Sequence, residues 1–185
     1  MEREFSAGGV VVRRMRDRWW MAAIEPQVSK NRRARTAKAT RVLALPKGLI
    51  DKDKGETPAE TAVREVREET GVAATLVSKL IDIRYVYVRS WGDKQRVFKV
   101  VSFYLLLYRS GRLDDLTPDM RKEVRCCEWI PLDEAPRKLT YKGERDVAKL
   151  ALDYVASHPA LAASKTQAAS TVCKTNAEAD NDAAG

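Results

Sequence analysis

Three glutamates, Glu65, Glu68 and Glu69, fall at i, i+3 and i+4 of the stretch TPAETAVREVREETG that runs from Thr57 to Gly71. On a helix that spacing stacks their carboxylates within one turn, where like charges repel and do not support the helix. Arg64 and Arg67 relieve the repulsion only partly, since each can pair with only some of the acids. The ends of the helix are written in the same stretch. Thr57 is a good N-cap, Pro58 takes the first helical position, and Glu60 completes a capping box. Gly71 supplies the left-handed stop. Ala59, Ala62, Val63 and Val66 recur at i, i+3, i+4 and i+7, which makes one apolar face for a core. A loop from Gly48 to Gly55 leads into the helix start, where free N–H groups favour phosphate oxygens. Carboxylates beside a phosphate site make chemical sense when a hard cation lies between them. Mg²⁺ does this work with oxygen ligands at ~2.1 Å and substrate phosphates completing its octahedron.

These residues resemble the signature of the Nudix hydrolases. The pattern is a Gly, five residues, Glu, seven residues, Arg-Glu, an aliphatic, any residue, Glu-Glu, any residue, Gly and an aliphatic. Here Glu56 takes the first Glu, and Arg64-Glu65-Val66, Glu68-Glu69, Gly71 and Val72 follow at the right spacing. One departure is plain: seven residues, not five, separate Gly48 from Glu56, and the extra pair falls within Asp51–Lys54. The helix register survives this insertion, because it lies in the loop. The box covers about an eighth of the chain, and the strand pattern around it extends the likeness to residues 4–156.

The resemblance implies roles. Glu65, Glu68, Glu69 and the Gly48 carbonyl would hold one to three Mg²⁺ ions, with Mn²⁺ as a substitute. Glu65, Glu68 or Glu123 would orient or deprotonate the attacking water. Glu123 lies six residues before Trp129, similar to the spacing of an extra acid in a subgroup of these enzymes, with Glu128 as its competitor. Arg64 would fix a carboxylate through a bidentate bond. Lys47, Tyr85, Tyr87 and Phe103 are the candidate substrate contacts. The implied reaction is metal-assisted water attack on a phosphoanhydride of a nucleoside diphosphate-linked compound. No proline marks the ADP-ribose subgroup between Pro58 and Pro118, whereas Tyr87 lies sixteen residues past Gly71, as in the dinucleoside polyphosphate subgroup. Dinucleoside polyphosphates or nucleoside triphosphates are therefore the expected substrates. A diphosphoinositol polyphosphate hydrolase, or a module that holds nucleotide or RNA without turnover, stands as the alternative.

Other chemistries are poorly provided for. The single histidine, His158, sits where the apolar pattern ends, so a Ser–His or Cys–His nucleophile is excluded. There is no GxxxxGK[ST] and no HExxH. Three cysteines without CxxC spacing are too few for a disulfide framework, and the start MEREFSAGG lacks the apolar core of a secretory signal. The longest apolar run is too short to cross a bilayer, so a cytoplasmic protein is expected. Net charge is +8 and unevenly spread. Val28 to Arg41 carries six cations and no acid, which reads as a basic flexible insertion, and Arg13, Arg14, Arg16 and Arg18 add a second basic stretch. Either could attract phosphates; no aromatic interleaves the first run, so nucleic acid is the less favoured partner.

The elements that must position these groups follow from periodicity. Strands are expected at Glu4–Val12, Trp19–Glu25, Val42–Leu45, Val72–Val77, Leu80–Arg89, Arg96–Arg109 and Glu123–Ile130. Ile81, Ile83, Tyr85 and Tyr87 alternate to one face, next to the strand that carries Phe103. Short helices are expected at Pro131–Leu139 and Glu144–Ala156, the latter packing through Val147, Leu150, Ala151 and Tyr154. Strands alternating with two or three helices predict an α/β fold, a mixed β-sheet between helices, and the Nudix resemblance implies the same α/β/α sandwich. One domain, 1–156, would be followed by a disordered Ala/Ser-rich tail, 157–185. Nothing in the chain fixes an oligomeric state.

Overall fold

The computed structural model describes residues 2–27, 41–89 and 95–163. The basic run from Val28 to Ala39, the turn at Trp91–Asp93 and most of the Ala/Ser-rich tail lie outside the described residues. Six strands form one mixed sheet: β1 (Glu2–Met15), β2 (Arg18–Pro26), β3 (Lys47–Leu49), β4 (Val72–Val88), β5 (Arg96–Gly111) and β6 (Val124–Pro131). Their order is β4-β5-β1-β2-β6. β1 runs parallel to β5 from Glu2↔Val97 to Val12↔Leu107, and every other pairing is antiparallel.

β1 changes partner along its length. Its first half pairs with β3, Ser6 opposite Leu49 and Gly8 opposite Lys47, and only from Val12 onward does β2 take over. The sheet therefore opens beside β3, and the functional groups gather at that opening. A two-residue turn, Arg16–Asp17, joins β1 to β2 with both residues at positive φ, the geometry that matches strand twist.

Helices α1 (Pro58–Thr70), α2 (Ala135–Lys138) and α3 (Lys142–Ser157) complete the sandwich. α1 covers one face through Ala62 and Val66, packed with Ala7, Val11, Ala22 and Leu106. α3 covers the other through Val147, Ala148, Ala151 and Val155, packed with Val10, Val12, Phe103 and Leu105. Fully burying one Val or Leu stabilises by about 1.5–3 kcal/mol, so two such layers account for a sheet apolar on both faces. The expected caps of α1 are present: the Glu60 N–H donates to Thr57 Oγ1 at 3.3 Å and the Thr57 N–H to Glu60 Oε2 at 2.9 Å, while Gly71 at φ 80° closes the far end.

Several expected elements differ. Val42–Leu45 is not a strand. Only Ala44 bridges to Ile24, because Leu43 and Leu45 turn their backbones the other way, to Thr140 and Glu144. Val72–Val77 and Leu80–Arg89 are one strand, since irregularities at Ala73/Ala74, Leu76/Ser78 and Lys79/Ile81 absorb its polar residues without breaking it. The helix expected over Pro131–Leu139 shortens to α2 behind a turn. On α3 the packing face is rotated: Leu150 is 37% exposed, and Ala148 and Val155 are buried in its place. Finally, Pro159–Ala163, at the start of the stretch expected as a tail, forms a 3₁₀ turn.

Candidate active site

α1 does not present its three acids equally. Glu65 and Glu69 face the sheet and are each 8% exposed, whereas Glu68 projects outward. Arg64 gathers them. Its Nε and Nη2 donate to the two oxygens of Glu56 at 2.7 and 2.9 Å, a bidentate pair. Its Nη1 donates to Glu65 at 2.6 Å and Glu68 at 2.9 Å, and Nη2 also reaches the Leu49 carbonyl at 3.1 Å. One guanidinium thus ties three carboxylates to the turn after β3. Arg64 holds the Glu56 carboxyl down to about 2, against the opposing effect of burial and with help from the Thr61 hydroxyl. Glu65 moves the other way: burial raises it, and Arg64 only partly compensates. Burial pushes Glu69 up to about 8; the Lys47 N–H and charge oppose this, and Glu65 and Glu123 add to it.

Lys47 and Gly48, the first two residues of β3, meet these acids. The Lys47 N–H donates to Glu69 Oε2 at 2.7 Å. At Gly48, a Cβ would stand 2.1 Å from Glu65 Oε1, so only glycine lets this backbone lie against the carboxylate. The Lys47 side chain turns to the opposite side. Its ammonium pairs with Glu144 Oε1 at 2.9 Å and lies 6.0 Å from the Tyr141 ring. Burial alone would lower the Lys47 ammonium; Glu144 overrides it and the net shift is upward.

Lys47 also lines a cleft of about 640 Å³ with Ile83, Tyr85, Tyr87, Phe103 and Tyr141. All four candidate substrate contacts therefore share one cavity. Phe103 is its buried floor, and Tyr85 and Tyr87 stand on the wall with ring centroids 6.3 Å apart. The Tyr87 hydroxyl is not loose, since it donates to Glu4 Oε1 at 2.8 Å. Tyr141 and Glu144 escaped the sequence reading. Glu144 stands in the first helical turn of α3, where an acid ordinarily serves the helix dipole from the surface, so local pattern gave no sign of its burial.

Glu123 lies exposed just before β6, at the end of a 3₁₀ turn, Met120–Lys122, and near enough to Glu69 to act on its proton affinity. Its competitor Glu128 is engaged elsewhere, paired with Arg41 at 2.9 Å. The second basic stretch is largely spent on structure. Arg13 is 2% exposed, with its guanidinium 4.5 Å from the Tyr108 ring centroid and 5.8 Å from that of Trp129. Arg18 pairs with Asp133 and Glu134, and Arg14 with Asp17. Packing thus occupies Arg13, and ion pairs engage Arg14 and Arg18.

Whether a divalent cation fits can be judged from the donors. Among the described residues, no three acids already surround a common point. The donor chemistry fits nonetheless: the carboxylates of Glu65 and Glu69 are both buried, and burial raises both above the ordinary carboxylate range despite Arg64 and Lys47. Such a group favours a hard cation over isolation, because burial penalises the lone anion.

The sheet, its two helical layers and the buried acid pair beside an aromatic cleft define an α/β/α sandwich. The NUDIX domain family model matches residues 6–151, and the chain belongs to the Nudix family. It is 41% identical over 108 residues to the MutT4 protein of Mycobacterium tuberculosis (strain CDC 1551 / Oshkosh), covering 58% of this chain and 40% of that protein. It is 33% identical over 106 residues to an 8-oxo-(d)GTP phosphatase of Mycolicibacterium smegmatis, covering 57% of this chain and 29% of that protein. The chain thus spans well under half the length of these curated relatives. Its fold is similar to that of a C. elegans Ap4A hydrolase in a binary complex, with a TM-score of 0.57 at 16% identity over 83% of this chain and 98% of that one. No described helix is long and apolar enough to cross a membrane.

Proposed function

We propose that this chain is a Mg²⁺-dependent Nudix pyrophosphohydrolase that takes nucleoside triphosphates, holding the nucleoside in the aromatic cleft and the phosphate chain across the Lys47–Gly48 backbone of β3. One observation carries the reading. A single short strand, β3, lines the cleft with the Lys47 side chain while its backbone meets Glu69 and Glu65. A cavity of about 640 Å³ suits one nucleoside. The kinship with an 8-oxo-(d)GTP phosphatase supports the same substrate class. A second reading, dinucleoside polyphosphates, is favoured by Tyr85, which is 41% exposed and offers a second stacking surface at the cleft wall.

Glu65, Glu69, Glu68 and the Gly48 carbonyl would hold Mg²⁺, or Mn²⁺ in its place. The bound ion supplies charge neutralisation and Lewis acidity toward the phosphates. Arg64 keeps Glu56, Glu65 and Glu68 fixed relative to β3, so the acids need not reorganise during turnover. Water attacks phosphorus, the P–O bond to the leaving phosphate breaks, and a carboxylate takes the water proton. Glu123 is best suited to that last role. Among the described residues its side chain has no cation partner, while Glu65 and Glu68 are both held by Arg64.

The test is a substrate panel of nucleoside triphosphates, their 8-oxo forms, dinucleoside polyphosphates and diphosphoinositol polyphosphates, assayed for phosphate and nucleotide release with and without Mg²⁺. Mg²⁺-dependent cleavage of the triphosphates is the expected result. Nucleotide binding with no release from any member would mean a non-catalytic module instead.

A further inference from the structure

We infer that Glu144, outside the sequence box, is a positioning residue: it sets where Lys47–Gly48 of β3 stands against Glu69 and Glu65, and so how tightly a cation is held. This rests on the function proposed above. Glu144 is 4% exposed, and both its oxygens are committed to one short segment. Oε1 pairs with Lys47 Nζ at 2.9 Å, and Oε2 accepts the Leu45 N–H at 2.9 Å. Two residues on from Leu45, the Lys47 N–H donates to Glu69 Oε2 at 2.7 Å, and Gly48 follows with its backbone against Glu65. The contacts form one path from α3 through β3 to α1. It joins the two helices across the opening in the sheet.

A role in closing the fold does not account for this arrangement. The start of α3 is already tied to the same segment upstream: Leu43 donates to Thr140 Oγ1 at 2.9 Å, and Thr140 returns its N–H to the Leu43 carbonyl at 2.9 Å. Nor does the helix dipole account for it, since a dipole contact calls for neither the Lys47 ion pair nor the Leu45 N–H. What Glu144 adds is a grip on Lys47 from both sides, side chain and preceding backbone. Loss of its charge would leave the Lys47 ammonium with the Leu45 carbonyl at 3.3 Å as its remaining acceptor, and the start of β3 would shift to expose it.

The experiment measures Mn²⁺ affinity by electron paramagnetic resonance on the full chain, alongside thermal unfolding. Glu144→Gln can offer one acceptor oxygen where two are used, and it should raise the Mn²⁺ Kd about tenfold, as loss of a ligand-orienting partner does. Thr140→Val, which cuts the neighbouring tie, should lower Tm and leave the Kd unchanged. Glu144→Asp keeps the charge and should recover part of the affinity. If Glu144→Gln lowers Tm and leaves the Kd at the wild-type value, the residue is merely structural and the inference is wrong. Should Glu144→Gln fail to fold, Glu144→Asp decides, and an unchanged Kd again overturns the proposal. A wild-type chain that binds no Mn²⁺ at all removes the cation reading, and this role with it, which is a different outcome from wild-type binding that Glu144→Gln leaves intact.

Discussion

Arg64→Lys keeps the charge and discards the fork. The guanidinium makes five hydrogen bonds, to Glu56 twice and to Glu65, Glu68 and Leu49 once each. An ammonium on a different stem can reach about two of these acceptors. Charge-assisted hydrogen bonds contribute about 1.5–3 kcal/mol when sheltered. Here the Arg64 side chain is 34% exposed, so each bond is discounted to about 1 kcal/mol or below. Losing three of them costs about 2–3 kcal/mol, or about 5–10 °C in Tm for a domain of this size. A shifted urea midpoint at constant slope would report it. The substitution should also change the acid limb. Glu56 sits at about 2 when folded against an ordinary 4.5, so it contributes stability above 4.5 that is lost as pH falls through about 2. In the variant this loss should shrink. An unchanged midpoint together with an unchanged acid limb would refute the idea that Arg64 organises the acids.

Two further substitutions or conditions probe the same cluster. Gly48→Ala should leave the fold near wild-type stability in circular dichroism but displace Glu65, since the new Cβ would lie 2.1 Å from its oxygen; turnover should fall at least about tenfold. Glu65 and Glu69 are raised, Glu69 to about 8, so their folded forms bind more protons than their unfolded forms. The stability that Glu69 contributes is complete below the ordinary carboxylate value of 4.5 and is lost as pH rises through about 8, and Glu65 acts in the same direction. In chelator, Tm should therefore decline across that interval. Added Mg²⁺ should restore it, by more at about pH 8 than at about pH 6, and an equal Mg²⁺ effect at both would count against burial of ionised acids at the cation site.

Much of the site was legible in one stretch of sequence because its signals are local. Thr57, Pro58, Glu60 and Gly71 mark the ends of α1 by backbone chemistry alone, and the spacing of Ala62 and Val66 fixes its buried face. The spacing stacked Glu65, Glu68 and Glu69 within one turn, but the packing turns only Glu65 and Glu69 inward and leaves Glu68 exposed. The alternation through Ile83, Tyr85 and Tyr87 likewise put the aromatics on one wall. What the sequence could not carry was tertiary. Arg13 reads as one more cation of a basic turn, yet Tyr108 and Trp129, distant in sequence, form its pocket. Leu150 fits a helical stripe as well as Val155 does, and only the tilt of α3 on the sheet selects between them. Val42–Leu45 has strand composition, but its hydrogen bonds alternate between β2 and the start of α3, so no ladder forms. Glu144 belongs with these cases: its importance comes from Lys47, about a hundred residues earlier.

Glu69→Gln bears most directly on the central claim that the buried acids of α1 hold the cation through which phosphoanhydrides are cleaved. At neutral pH the metal-free Glu69 is already largely protonated, so the amide is close to a neutral replacement and the fold should keep its Tm in chelator. Mg²⁺-dependent nucleotide cleavage should drop by more than about a hundredfold. A folded Glu69→Gln protein that cleaves nucleotides at the wild-type rate in Mg²⁺ would contradict the account.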